Sequence, residues 1–279
     1  MIRVSAKHPC PICKKEDWCL YSEDGQVAIC ARVSSPRPAG EAGYLHKLSE
    51  EATYNNTRDY TLKNPMLSVH IDWDTWNNNY FKSFINSEIN PPDFMDKATA
   101  NLFNCGWDGA CYTFPLRNAN NNIIGIQRRF LDGRKRLVTG SRAGILVPIG
   151  LNLMEGQDIY ICEGLSDTVS AIQLGLYAEG RMSASTGTSI FCKKYTNRSI
   201  IVVADNDEAG KKSGVNLARK LSSAGNGVRV ISPKKYKDLR QLKNYEDKDS
   251  IRLDITKKVT TNEHFDLIFL DYPEDKIFY

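Results

Sequence analysis

The sequence predicts an α/β fold, a parallel sheet flanked by helices, preceded by an α+β subdomain and a small β module rich in cysteine. Three observations predict it. Two apolar runs about forty residues apart, Ile159-Tyr160-Ile161-Cys162 and Ile200-Ile201-Val202-Val203-Ala204, each stop at carboxylates and then at glycine. Strand runs alternating with helix-period segments over that stretch call for parallel strands, whose carboxyl edge is where such sheets present ligands. Finally, four of the eight cysteines fall within the first thirty residues.

Composition sets the frame. A chain of 279 residues holds two compact domains and a small module. Its hydrophobic fraction of 41% and charged fraction of 25% are those of a soluble globular protein. No run of about eighteen apolar residues occurs, which argues against a membrane span. Met1-Ile2-Arg3-Val4-Ser5-Ala6-Lys7 lacks the apolar core of a signal peptide. A cytoplasmic location follows as the expectation, with cysteines serving as thiols or metal ligands rather than disulfides. The net charge of +4 is small, so affinity for nucleic acid has to come from local patches.

Residues 1–48 read as a metal-binding module. Cys10-Pro11-Ile12-Cys13 is a knuckle that points two thiolates at one tetrahedral ion. Asp24-Gly25, between two apolar runs, predicts a hairpin carrying Cys19 and Cys30 on its arms. The expected ligands of a structural Zn²⁺ are therefore Cys10, Cys13, Cys19 and Cys30, with His8 and His46 as reserves for Cys19. So small a module buries little apolar surface, and zinc supplies roughly 10–16 kcal/mol in comparable peptides.

Residues 49–70 are polar and aperiodic, and read as a linker. Over 71–154 an α+β subdomain is expected. Trp73, Trp76, Tyr80, Phe81, Phe84 and Ile85 recur at helical spacing, and a second short helix is expected from Asp93 to Asn101. Two strand runs, Cys111–Arg117 and Ile123–Phe130, flank an Asn-rich hairpin loop; a third run spans Arg134–Gly144. Six cations lie between Arg128 and Arg142 against the single acid Asp132. Strand alternation puts Arg128 and Arg129 on opposite faces, so at most one of the two faces a site from that strand.

Residues 155–245 hold the acidic core. After Glu163-Gly164, a helix is expected from Asp167 to Leu176; Met182–Thr188 suits a loop beside the site. Asp205 and Asp207 are i and i+2, so their carboxylates project together and invite a divalent cation, Mg²⁺ or Mn²⁺. Gly210 lets the next helix pack closely, and Lys211 and Lys212 begin it. A third strand, Val228–Ile231, precedes Lys237-Asp238-Leu239-Arg240. Residues 246–279 read as a tail whose aromatics, Phe265, Phe269, Tyr272 and Phe278, suit a packed end or a docking peptide.

The pattern Glu163-Gly164-x-x-Asp167, then Asp205-x-Asp207-x-Ala209-Gly210, resembles the TOPRIM domain of DNA primases, topoisomerases and certain nucleases, over about residues 155–240. With the cysteine module and basic strands upstream, the order resembles bacterial- and phage-type DNA primases, including those of mobile elements. That resemblance implies synthesis of short RNA primers on single-stranded DNA from ribonucleoside triphosphates, by metal-dependent nucleotidyl transfer. It implies catalysis by Glu163, Asp205 and Asp207 with Mg²⁺ or Mn²⁺. Glu163 either completes the metal site or accepts the proton of the attacking 3′-hydroxyl. Asp167 either orients the site or caps a helix. Arg128, Arg129, Lys135, Arg136, Arg142, Lys211 and Lys237 are the expected contacts to nucleotide and template, and the zinc ribbon is expected to help select the template. One departure stands out: primase ribbons usually end in a second knuckle, whose last cysteine falls at Val33 here. No G-x-x-x-x-G-K-[ST] occurs in these residues, so a replicative helicase is expected as a separate partner. The competing readings are a TOPRIM-type nuclease and a catalytically silent, zinc-containing DNA-binding adaptor.

Overall fold

The computed structural model describes residues 1–37, 39, 42–48, 71–257 and 262–271, and the chain divides into two compact units, residues 1–69 and 70–279. In the first unit, β1 (Ile2–Arg3), β2 (Leu20–Tyr21), β3 (Val27–Cys30) and β4 (Tyr44–Lys47) form an antiparallel sheet in that order. The expected hairpin joins β2 to β3. Gly25 turns with φ +68°, and Asp24 Oδ1 accepts the Gln26 N–H at 3.0 Å, an Asx turn that sets the corner. The buried cluster of this unit consists of Val4, Cys10, Cys19 and Cys30. A core made largely of thiols is too small to hold a sheet without a cross-link. The linker expected over residues 49–70 lies outside the described residues.

The second unit runs α1 (Trp73–Ile85), α2 (Lys97–Leu102), β5 (Gly106–Trp107), β6 (Cys111–Arg117), β7 (Ile123–Phe130), β8 (Lys135–Leu137), β9 (Ile145–Leu146), β10 (Ile159–Glu163), α3 (Leu165–Gln173), β11 (Ala178–Arg181), α4 (Thr188–Lys194), β12 (Ser199–Val203), α5 (Glu208–Ser223), β13 (Gly227–Pro233), α6 (Leu239–Tyr245), α7 (Lys248–Thr256) and β14 (Phe265–Asp271). Its ten-stranded sheet is ordered β14-β13-β12-β10-β11-β9-β6-β7-β8, with β5 paired to β6. The four central strands, β13, β12, β10 and β11, are mutually parallel. All other pairings are antiparallel. The sheet is therefore mixed, with the expected parallel sheet as its centre. The basic hairpin upstream is part of the same sheet: β9 pairs with β11 through Gly180↔Leu146 and with β6 through Arg117↔Ile145.

Burial on both faces explains why the central strands read as unbroken apolar runs. Ile159, Ile161, Ile200, Val202, Val228 and Val230 pack on one side with Phe191 of α4 and Leu217 and Leu221 of α5. The alternate residues Tyr160, Cys162, Ile201, Val203 and Ile231 pack on the other with Leu239 and Leu242 of α6 and Ile251 and Ile255 of α7. A third cluster gathers Phe84, Phe103, Phe114 and Leu116 with Leu165 and Val169 of α3. So α3 is shared by the hairpin region and the acidic region. Each fully buried side chain of this kind contributes about 1.5–3 kcal/mol.

Five helices, α1, α2, α5, α6 and α7, start at an aspartate whose side chain accepts the backbone N–H three residues on. This explains a shift from expectation: the helix expected from Asp93 begins at Lys97, because Asp96 is its cap. The run Arg134–Gly144 pairs as a strand only over Lys135–Leu137. Of the segment expected as a tail, Lys248–Thr256 is α7 and Phe265–Asp271 is an edge strand on β13, while 258–261 and 272–279 lie outside the described residues. Among the described residues no helix is long and apolar enough to cross a membrane.

Candidate functional site

The four cysteines converge. One sulfur from each of Cys10, Cys13, Cys19 and Cys30 lies within 4.8 Å of the others. The Cys13–Cys19 and Cys19–Cys30 sulfur separations are 3.7 and 3.9 Å. A tetrahedral ion with metal–sulfur bonds of ~2.3 Å has sulfur–sulfur edges of roughly 3.8 Å, so the set fits such an ion. Backbone N–H groups of Ala31, Arg32 and Val33 approach the sulfurs of Cys19 and Cys30 at 3.3–3.5 Å, the environment a thiolate requires. Without a cation, burial and then the neighbouring sulfurs of Cys10, Cys13 and Cys30 push the Cys19 thiol up to about 12. The reserves are elsewhere: His46 Nε2 is 3.0 Å from the Val33 carbonyl, and His8 forms an exposed bridge to Ser5.

The acids gather at the carboxyl ends of three neighbouring strands. Glu163 ends β10 and Asp205 follows β12. Asn206 ties this corner to the loop after β13: its N–H donates to the Lys237 carbonyl at 2.7 Å, its side chain to the Lys234 carbonyl at 2.9 Å. That link brings in Asp238. Gly210 is required by the close approach, since a Cβ there would lie 2.8 Å from both Cβ and O of Asp205. Asp205 is the point of convergence: burial first, then the charges of Glu163, Asp238 and Asp207, push its carboxyl up to about 6, against Lys237. Asp207 is exposed and caps α5, accepting the Gly210 N–H at 2.7 Å.

Asp167 is buried on α3, whose own start at Gly164 has no side-chain cap. Its Oδ1 accepts the Arg240 N–H at 3.0 Å, so it braces the first turn of α6. Burial first, and then Asp238, push its carboxyl up to about 7.

Ligand atoms of Glu163, Asp205 and Asp207 do not all come within 4.8 Å of one another; among the described residues that holds only for the four cysteines and for Asp254, Glu263 and His264. Asp254 is already engaged by Lys257 and His264, each at 2.8 Å. The acidic edge is thus an open set of hard oxygen donors. Such a set suits Mg²⁺, which is usually held by one or two carboxylates with waters and phosphate oxygens completing its shell.

The basic strands sort by face. Arg129 and Lys135 are directly paired across β7 and β8, as are Arg128 and Arg136. Paired residues share a face and successive residues alternate. Lys135 lies in the field of Arg129, Asp167, Glu163 and Arg240, and Arg129 in that of Arg240 and Asp167, so this pair faces the acids. Arg129 also stacks over the Phe94 ring at 4.5 Å beside a recess of about 590 Å³ bordered by Tyr112, Arg240 and Tyr245. Arg128 and Arg136, expected among the nucleic-acid contacts, lie on the other face, and Arg128 is bound to Asp108 at 2.7 Å. Arg142 is exposed in the loop after β8, Lys211 half-buried on the first turn of α5, and Lys237 exposed in the field of Asp205.

Two residues of this edge were not expected as site residues. Asp238 stood in the sequence only as part of a Lys-Asp segment. Arg181, at the end of β11, carried no signal, yet its Nη2 lies 3.3 Å from Glu163 Oε2.

Residues 160–242 match the Toprim-like family model. No curated relative matches the sequence. Among solved structures the chain's fold is similar to the DnaG catalytic core, at 15% identity over 70% of this chain and 79% of that one, TM-score 0.50. A DnaG primase catalytic domain bound to single-stranded DNA matches at 16% identity over 65% and 76%, TM-score 0.50. The zinc-binding and RNA polymerase domains of Aquifex aeolicus primase match at 16% identity over 64% and 58%, TM-score 0.51. The chain thus carries a Toprim-like domain within the fold of a bacterial primase catalytic core.

Proposed function

We propose that this protein is a DNA primase, synthesising short RNA primers on single-stranded DNA from ribonucleoside triphosphates. One observation carries the reading: a carboxylate edge and a cationic pair, Arg129 and Lys135, face each other on one continuous sheet. Acids alone suit many metal enzymes; acids opposed by fixed cations suit a polyanionic substrate held beside a metal ion. Asp205 and Asp207, with Glu163 and Asp238, are the residues to hold Mg²⁺ or Mn²⁺. When bound, the ion neutralises the triphosphate and stabilises the departing pyrophosphate.

The chain's own groups do the positioning. Arg129 and Lys135 orient the phosphates, with Lys237, in the field of Asp205, and Lys211, on the first turn of α5, as further contacts. Glu163 acts as a further cation ligand, with Arg181 Nη2 3.3 Å from its Oε2. Asp167 keeps α6, and with it Asp238, in register with the edge. In the first unit, Cys10, Cys13, Cys19 and Cys30 hold Zn²⁺, and the ribbon they fasten contacts the template. A replicative helicase is the expected partner in this reading.

The test offers single-stranded DNA, ribonucleotides and Mg²⁺ to the wild type, Asp205→Ala and Asp207→Ala. Short RNA products from the wild type, lost in both variants, support the proposal. DNA cleavage without synthesis shifts the assignment to a nuclease, and DNA binding with neither reaction to an adaptor.

A further inference from the structure

Arg181 is 2% exposed and is the bulkiest of the fully buried side chains among the described residues. It ends β11 in register with Glu163 on β10. Its Nη2 donates to Glu163 Oε2 at 3.3 Å, while Nη1 donates to the Ala184 carbonyl at 2.7 Å and to Ser213 Oγ at 3.2 Å. Its Nε is buried with no hydrogen-bond partner. One guanidinium therefore links β10, the loop before α4 and helix α5, and is not fully satisfied in doing so. Burial of such a charge is costly. Burial lowers its proton affinity, and the carboxylates that oppose this are Glu163 first and Asp205 second. Of the other cations near the edge, Lys237 and Lys135 are on the surface and Arg129 and Arg240 are half-buried. Among the described residues near the acids, Arg181 is the one cation that is fully buried and paired directly with Glu163.

A strut between three elements requires only neutral hydrogen bonds. A permanent charge does something more, because a guanidinium cannot shed its proton in a protein. It neutralises Glu163 when no metal is present, and it repels any dication that comes to the same carboxylate.

We propose that Arg181 is a built-in counter-cation of the acidic edge, one that weakens divalent-cation binding in the absence of substrate so that the ion is held firmly only together with a polyphosphate. This inference rests on the reading of Glu163, Asp205 and Asp207 as a cation site. The open spacing of those acids agrees with a site completed by substrate oxygens.

The experiment is Mn²⁺ titration of the zinc-loaded full chain, by calorimetry and by the electron paramagnetic resonance signal of free Mn²⁺, with and without inorganic tripolyphosphate. Wild type, R181M, R181K, E163Q and R181M/E163Q are compared. R181M binds Mn²⁺ at least tenfold more tightly than wild type without tripolyphosphate, and the gap narrows when it is added. R181K, which keeps the charge but cannot span all three partners, stays within about threefold of wild type. The gain from R181M disappears in the E163Q background. Equal or weaker Mn²⁺ binding by folded R181M makes Arg181 a strut and overturns the inference while leaving the cation site intact. If R181M does not fold, a tenfold change in R181K in either direction overturns it equally. Absence of Mn²⁺ uptake by both wild type and R181M overturns the cation-site reading, and this inference with it.

Discussion

Replacing Asp167 with asparagine should make the metal-free protein more stable, by a margin that grows from about pH 4 and is complete above about pH 7. Asp167 is 6% exposed, and burial followed by the charge of Asp238 pushes its carboxyl up to about 7. In the unfolded chain it titrates near 3.9. As pH rises from about 4 to about 7 the unfolded chain releases this proton while the folded chain keeps it. The folded state then binds more protons than the unfolded state, so stability falls across that window and levels off above it. Three pH units at 1.36 kcal/mol each set a ceiling on the order of 4 kcal/mol, and relaxation around the charge brings the expectation to about 2–4 kcal/mol. Asparagine removes the ionisation but keeps an oxygen for the Arg240 N–H. For a unit of this size the gain corresponds to a rise in Tm of about 5–15 °C at pH 8, with no difference at pH 4. The assay is thermal melting without added Mg²⁺, followed by circular dichroism at 222 nm. All helices among the described residues lie between Trp73 and Thr256, so this signal reports the second unit. A Tm difference that is the same at pH 4 and pH 8 refutes the reasoning.

Asp207→Ala should cost about 1 kcal/mol of stability as well as primer synthesis, because it removes the α5 cap; Asp207→Asn keeps the cap and should lose synthesis alone. Melting curves beside primer assays separate the two, and an Asp207→Asn variant that still makes primers removes Asp207 from the metal site. Cys19→Ser should drop bound zinc from about one ion per chain to near zero, while His8→Ala leaves it unchanged, read by elemental analysis after gel filtration. Arg128→Ala removes the cation from the buried carboxylate of Asp108, whose Oδ1 still accepts the Ala110 and Cys111 N–H groups, and should cost about 1–3 kcal/mol with little effect on KM for nucleotides. Arg129→Gln should do the reverse, raising KM about tenfold or more at nearly unchanged stability; equal effects of the two substitutions contradict the assignment of faces.

What the sequence made legible was local. Glu163 and Asp205 announce themselves because each ends a run of buried residues, and strand ends are where periodicity changes abruptly. Cys10, Cys13, Cys19 and Cys30 were readable because a knuckle and a hairpin turn leave little freedom in where the sulfurs go. What escaped depends on contacts between distant segments. β11, Ala178-Glu179-Gly180-Arg181, does not look like a buried strand, since it carries two charges. Yet Glu179 is fully buried and paired with Lys194 at 2.7 Å, and Arg181 with Glu163. A buried ion pair is invisible to hydropathy because its partner comes from another element. The join of the hairpin to the central sheet through the two-residue strand β9 leaves no periodic trace at all. β14 was read as tail because the residues it pairs with lie on β13, thirty or more positions earlier.

Helix capping and the proposed cation binding are compatible in this fold. Asp207 and Asp238 are both N-caps, of α5 and α6, and both stand at the carboxyl edge of the sheet. In an α/β unit the helix that follows a strand begins at that edge, so a residue capping the helix is also one bordering the ligand cleft. Each cap commits one oxygen, Oδ1, to a backbone N–H. A carboxylate has two oxygens and about four acceptor sites, so a cation and a cap can share it. The cap also fixes the side chain in one rotamer before any cation arrives, which lowers the entropy cost of binding it. If the acids hold a cation as proposed, capping pre-organises them rather than competing with it. In that reading the residue that competes is Arg181, because its charge has the same sign as the ion.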